Sequence, residues 1–415
     1  MQIIIVICSL LLLAYIFDIS SSKTKIPTVI ILLLLGWFVK QIFKNLNIEI
    51  VDLSSLLPIL GTIGLILIVL EGSLELEITK NKLKFIGKSA LMALIPIILI
   101  SISFGSIIYH FDDISFKDAL SNAVPFAIIS SAIAIPSVKG FDRNKKEFII
   151  YESSFSDIIG VVLFNFLVFN EVINLSSFGY FFLDILFILF ITILSTLSLA
   201  FFISFVRLHV KFVPIIIFVI LLYSITKIFH LPGLILIMIF GLFLGNMKNL
   251  TSYKYINLLN PEELIKESKR FKEITQEMAF LVRALFFLLF GFLINSSDVY
   301  DLKSLVWSLL ILSIIIVTRY LTMIILKIKI DNLVYIAPRG LITILLVLSL
   351  PNSVRTEFLG DSVIIQVIIL SSLFMMIGTL KDKNLKIEST EHLETENDIP
   401  TLSDKNLIED TNNDL

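Results

Sequence analysis

Residues 147–168 read Glu-Phe-Ile-Ile-Tyr-Glu-Ser-Ser-Phe-Ser-Asp-Ile-Ile-Gly-Val-Val-Leu-Phe-Asn-Phe-Leu-Val. At 1.5 Å per residue, a helix of this length crosses the hydrocarbon core of a bilayer. Yet Glu152 and Asp157 lie well inside it, with Ser153, Ser154 and Ser156 between them. A carboxylate at mid-membrane costs about 2.5–3.5 kcal/mol even on the lenient insertion scale. A helix that only packs has no need of one. Such a group is tolerated where it faces a bundle interior and exchanges its charge for a proton, a cation or an arginine partner. The stretch reads as the ion-handling element of a transporter.

The rest of the chain provides the membrane setting. Its 415 residues are 57% hydrophobic and 16% charged, with mean hydropathy +0.96. That balance excludes a soluble globular domain and predicts an all-α polytopic membrane protein. A net charge of −2, with no basic run and no glycine-rich phosphate loop, gives nucleic acid nothing to bind, and no cofactor is expected. Cys8 is the single cysteine, so there is no disulfide framework. Segment 2–18 lacks a basic n-region and a small-residue cleavage site, and is expected to stay as a membrane helix.

A window of about 19 residues predicts thirteen spans. They fall near 2–18, 28–44, 54–73, 87–108, 118–137, 147–168, 181–205, 212–227, 231–247, 277–295, 304–326, 332–350 and 362–380. With the N-terminus outside, the inner loops hold 20 Lys and Arg and the outer loops 6 (Lys40, Lys44, Lys117, Lys227, Lys303, Arg355). The excess of positive charge marks the cytoplasmic face and predicts a cytoplasmic C-terminus in a cell membrane. Residues 1–380 form the predicted transmembrane domain. Within it, 248–276 is a polar linker in which Pro261-Glu-Glu-Leu starts a short amphipathic surface helix. Residues 381–415 are acidic and polar and are predicted to be disordered.

Two spans are interrupted. Span five carries Pro125, then Ser130-Ser131-Ala-Ile-Ala-Ile-Pro136-Ser137; span twelve carries Pro338-Arg339-Gly340 and ends at Pro351. With span seven as a linker, these are the fifth spans of two six-span halves. Matched interruptions of this kind point to two inverted repeats whose broken helices cross at the midplane. Proline removes a backbone donor and Gly340 allows unwinding, which frees carbonyls and half-helix ends for an ion.

The ionisable residues inside the predicted spans include Glu71, Glu152, Asp157, Arg283, Arg319 and Arg339. Glu71 and Arg283 lie nearer the cytoplasmic ends, where each reads as snorkelling to water or held in a local salt bridge. Glu152 and Asp157 sit about 140° apart around their helix, so they address different neighbours. One can pair with an arginine while the other titrates, because an unpaired carboxylate in low dielectric favours its neutral form.

Four motifs carry a resemblance. Glu152-Ser153-Ser-Phe-Ser156-Asp157, followed by Gly160, resembles the signature helix of the monovalent cation/proton antiporter-1 family of bacterial and eukaryotic Na+/H+ exchangers. Leu281-Val-Arg283-Ala-Leu-Phe286-Phe287-Leu-Leu-Phe-Gly291 resembles that family's Phe-rich span ten. Thr318-Arg319-Tyr-Leu resembles its span-eleven arginine, and Ala337-Pro338-Arg339-Gly340-Leu341 its span-twelve break. The likeness covers about 1–380 and implies the sodium/proton antiporter fold. It implies that Asp157 binds cation and proton alternately, that Ser153 offers the ion an oxygen, that Glu152 pairs with Arg319, and that Arg339 stabilises the helix crossing. It further implies a homodimer with a fixed half and a moving half.

Two departures bear on the chemistry. The residue before the key aspartate is Asn in the electroneutral relatives and Asp in the electrogenic ones; here it is Ser156, which cannot carry a second proton. One-for-one exchange is therefore favoured. The family's Thr-Asp-Pro in span five is here Ala134-Ile135-Pro136, leaving Ser130, Ser131 or Ser137 to replace the lost oxygens. The expected cargo is Na+ against H+, with K+ or Li+ as the alternative cation. An intramembrane hydrolase is disfavoured: Asp157 is the only deep aspartate, and His110, His209, His230 and His392 lie at span ends, loops or the tail. A cation channel, or a carrier of another solute, is distinguished by whether flux responds to a pH gradient.

Overall fold

The computed structural model describes residues 11–16, 27–46, 55–79, 82–138, 140–170, 174–205, 212–229, 231, 233–247, 261–356 and 359–381. These form helices and no strand. In order they are α1 Thr28–Asn45, α2 Leu56–Glu75, α3 Leu83–Phe111, α4 Phe116–Ala127, α5 Ser131–Ser137, α6 Arg143–Phe169 and α7 Leu175–Phe205. There follow α8 Phe212–Ile228, α9 Gly233–Gly245, α10 Pro261–Leu293, α11 Ser296–Tyr300 and α12 Leu302–Ile325. A 3-10 turn, Asn332–Tyr335, precedes α13 Leu341–Ser349 and α14 Asp361–Lys381.

Nine spans among the described residues are long and apolar enough to cross a membrane, with α4 and α5 together making one of them. The shorter apolar helices α8 and α9 answer to predicted spans eight and nine. Most of the first predicted span lies outside the described residues, although 11–16 are helical. The stretch 248–260, Cys8, His209, His230 and the whole tail after Lys381 also lie outside them.

Two spans differ in detail from their predicted form. The helix starting at Pro261 does not end as a separate surface helix; it runs on to Leu293 as one continuous 33-residue rod. No proline or glycine interrupts 262–290, so nothing stops it once nucleated. Predicted span twelve is only half α-helical. Its first part is a four-residue 3-10 turn and extended chain, because Pro338 brings neither an amide donor nor room for the turn before it.

The helices sort into two bundles. In the first, α2 and α10 pack on each other, with α1 on α10 and α7, α8 and α9 around them. In the second, α3 packs on α4, α6 and α12, with α5 on α6 and α14 on α12. The seam between them is carried mainly by α2, which touches α5, α6 and α13. Beyond the C-terminus of α2, Lys82 and Arg143 meet at Glu77, with Lys269 and Lys272 lining a cavity beside it, and we call this the basic end.

One cation within the spans is held by fixed acceptors. Lys40 on α1 reaches the C-terminus of α10, donating to the carbonyls of Leu293 (3.2 Å) and Ile294 (2.9 Å) and to Asn295 Oδ1 (2.8 Å). Those carbonyls have no partner within the helix, and the negative end of the helix dipole favours a cation there. Replacing Lys40 by Met removes all three bonds while keeping most of the stem. The expected outcome is a loss of about 1–2 kcal/mol in stability, read as a lowered thermal midpoint of the detergent-solubilised protein, with Lys40→Arg recovering part of it.

Candidate functional site

The site is built where the chain stops being helical inside the second bundle. Ser115 starts α4 by accepting a hydrogen bond from the Asp118 amide at 3.1 Å. The helix then ends at Ala127, and α5 begins only at Ser131. The link, Ile128 to Ser130, is buried, so each of its amides needs a partner. The Ile129 amide donates to Ser156 Oγ of α6 at 2.9 Å, and the Ser130 amide donates to the Pro338 carbonyl of the second break at 2.9 Å. The two interruptions thus hydrogen-bond directly to one another.

Arg339 fastens the crossing. It is 1% exposed, and its guanidinium donates to the carbonyls of Phe126 (2.6 Å), Ala127 (3.3 Å) and Ala337 (2.8 Å). Phe126 and Ala127 are the last residues of α4, so the cation caps the negative end of a half-helix. Its backbone amide donates to Ser371 Oγ on α14 at 3.0 Å, and Thr343 of α13 donates to the Pro125 carbonyl at 3.0 Å. Gly340 has φ −174°, an extended conformation open to any residue. Space is what calls for glycine: a Cβ here would fall 2.5 Å from Ile133 and 3.0 Å from Ser130 Oγ.

On α6 the two carboxylates part company. Glu152 accepts two hydrogen bonds from Arg319 of α12, at 2.5 and 3.0 Å, and Arg319 also donates to the Leu333 carbonyl at 2.8 and 3.0 Å. Both side chains are almost fully buried, at 1% and 3% exposure. Asp157 is completely buried and accepts a bond from the Ser131 hydroxyl at the start of α5. Its second oxygen, Oδ1, has no hydrogen-bond partner among the described residues, and no cationic side chain pairs with it there.

The other serines divide similarly. Ser131 meets Asp157, whereas Ser137 turns its hydroxyl to the Ile133 carbonyl of its own helix at 2.7 Å. Ser153 donates to the Ile149 carbonyl at 2.7 Å, and Ser156 is held by the Ile129 amide. Ser130 Oγ is buried without a partner among the described residues. Pro136 lies inside α5, one residue from its end. Glu71 and Arg283 meet across α2 and α10 at 3.8 Å, away from Asp157. Sequence reasoning missed Ser371, Thr343 and the Leu333 carbonyl. Each acts through backbone groups, and only their place in the fold reveals them.

A cavity of about 280 Å³ opens into the seam at the end opposite the basic one. Pro58, Thr62 and Leu65 of α2 line it with Tyr223 and Lys227 of α8, facing Val161, Asn165 and Val168 of α6. Its α6 wall begins one turn beyond Asp157.

Solved structures share this architecture. The sodium proton antiporter MjNhaP1 from Methanocaldococcus jannaschii at pH 8 matches with TM-score 0.65 and 18% identity, over 95% of this chain and 99% of that one. An electron-microscopy structure of the same antiporter gives TM-score 0.64 and 19% identity, over 94% and 97%. At such identity the match speaks for the fold. No curated protein matches the chain. Residues 8–381 match the transmembrane sodium/hydrogen exchanger family, and the chain belongs to that family.

Proposed function

We propose that this protein exchanges Na+ for H+ across the cell membrane, one for one, by alternating access, with the Asp157 carboxylate as the shared site. One observation carries the reading. At the crossing of two broken helices, Asp157 is buried with one oxygen unpartnered among the described residues, while its neighbour Glu152 is neutralised by Arg319. A buried carboxylate is stable only when its charge is met, and a proton or a monovalent cation each meets it. Because one group holds either ligand, the two fluxes are coupled by competition. The family and the fold support cation/proton antiport as the class of activity.

Membership in this family and the charge of the loops supply the remaining expectations. The family implies a homodimer, while the excess of Lys and Arg in the inner loops makes the basic end cytoplasmic and puts the N-terminus outside; K+ or Li+ is the alternative cargo. Ser153 and Ser156 offer oxygens beside Asp157, and Ser156 brings no second proton, which favours electroneutral exchange. The seam supports alternating access. Its outer end holds the 280 Å³ cavity. Its basic end is filled by Leu76, Ile150 and Tyr151, against which Ile135, Phe155 and Leu242 pack. Carrying a bare charge across that apolar plug is costly, so only the loaded site crosses.

Asp157→Asn keeps the shape and the Ser131 contact while removing the titrating group. The expected outcome is loss of cation-driven pH change in proteoliposomes, with an unchanged elution profile. Exchange at the normal rate in this variant would sink the assignment. The paired carboxylate should behave differently. Arg319→Ala strands a buried charge and is expected to cost about 3–5 kcal/mol, whereas adding Glu152→Gln returns much of it. Thermal unfolding of both single variants and the double variant gives the coupling; additive effects would mean that Glu152 is not neutralised by Arg319.

A further inference from the structure

We infer that Ser154 supplies a further oxygen ligand to the transported cation, at a place on the seam where its neighbour Ile135 offers none. This rests on Asp157 being the ion site and adds a residue to it.

The argument starts from an unpartnered group. Ser154 is 3% exposed, and its hydroxyl has no hydrogen-bond partner among the described residues. Serines in membrane helices ordinarily return their proton to the carbonyl four residues back, as Ser153 does here to Ile149. Ser154 does not. A buried hydroxyl left unpaired costs stability and calls for a reason.

Placement gives the reason. Ser154, Asp157 and Val161 follow the i, i+3, i+7 spacing of one helix face, and Val161 is in the wall of the outer cavity. Ser154 thus continues the cavity-lining face past Asp157, toward the basic end. There it faces α2: a Cβ on Gly72 would lie 3.0 Å from Ser154 Oγ and 3.5 Å from Ile135 Cδ1. Ser154 and Ile135 therefore meet the same point of α2. Ile135 stands in the Ala134-Ile135-Pro136 segment, where the resembled family carries Thr-Asp-Pro. The apolar side chain offers an ion nothing, while the hydroxyl beside it offers a lone pair. A cation held by Asp157 Oδ1 would shed water more readily with a second fixed oxygen one helical turn away, and a neutral oxygen adds no proton to the exchange.

The test measures exchange in proteoliposomes against cation concentration, separately for Na+, Li+ and K+. Removal of a ligand to a charged group should raise the apparent KM for Na+ in Ser154→Ala about tenfold. The maximal rate should hold, and the preference among the three ions should change. Ser154→Thr, which keeps the oxygen, should restore KM. Gly72→Ala, which sets a methyl against the hydroxyl, should reproduce the rise. A wild-type KM and ion preference in Ser154→Ala would overturn the inference. So would a fall in rate shared equally by all three ions, the mark of a packing defect. Asp157→Asn run alongside separates the two claims: if that variant exchanges normally, it is the Asp157 assignment that fails.

Discussion

The architecture depends on how a membrane protein meets the hydrogen-bonding needs of backbone that is not helical. In hydrocarbon no water replaces a lost bond, so two interrupted helices at mid-depth survive only if every exposed amide and carbonyl finds a partner in protein. Here the partners are specific. Ser156 takes the Ile129 amide, Pro338 takes the Ser130 amide, Ser371 takes the Arg339 amide, and the Arg339 guanidinium gathers three carbonyls. The crossing is thus held by these specific bonds, and a side chain that leaves them strands a buried polar group. Arginine suits the central position because its planar fork reaches several acceptors at once and stays charged.

That closure fixes what surrounds the carboxylates. With Arg339 committed to carbonyls and Arg319 to Glu152, both deep arginines of the second bundle are used before Asp157 is reached. Asp157 is left with a serine hydroxyl, which stabilises a carboxylate far less than a guanidinium would. The five-residue spacing makes the division possible. It turns Glu152 toward α12 and Asp157 toward the break, so one helix carries an acid paired with arginine and another that is not.

Much of this was legible in the sequence, and what was not has a common cause. Asp157 and Glu152 stood out because charges in apolar runs are costly. The breaks stood out because Pro125, Pro136 and Pro338 cannot sustain uninterrupted helices. The pairing of Glu152 with Arg319 came from the family resemblance, and geometry has the two groups in contact. What stayed hidden was held by backbone groups or by absence of contact. The Leu333 carbonyl has no signature in a residue name. Among Ser130, Ser131 and Ser137, nothing in the sequence distinguished the one that bonds Asp157 from the one that turns to its own helix. The unbroken rod from Pro261 to Leu293 was masked by a change in polarity that alters the surroundings of a helix without ending it.

At the seam, α2 meets the second bundle closely at its glycines: Gly61 and Gly64 face Leu345 and Leu341 of α13, and Gly72 faces Ser154 and Ile135. Directional bonds gather at the basic end. There Tyr151 donates to the Glu77 carbonyl at 2.6 Å, while Asn246, just past the end of α9, accepts from the Ile78 amide at 2.6 Å and donates to the Leu76 carbonyl at 2.7 Å. The short chain after α2 is therefore gripped by α6 on one side and by the end of α9 on the other. The ion pairs around it, Glu77 with Lys82 at 3.5 Å and with Arg143 at 3.6 Å, are exposed and contribute little beside those bonds. The seam thus has a cavity at one end and a few buried hydrogen bonds at the other. The alternating access proposed above would require the bonded end to release as the open end closes, with the hydrogen-bonded crossing carrying its carboxylate along.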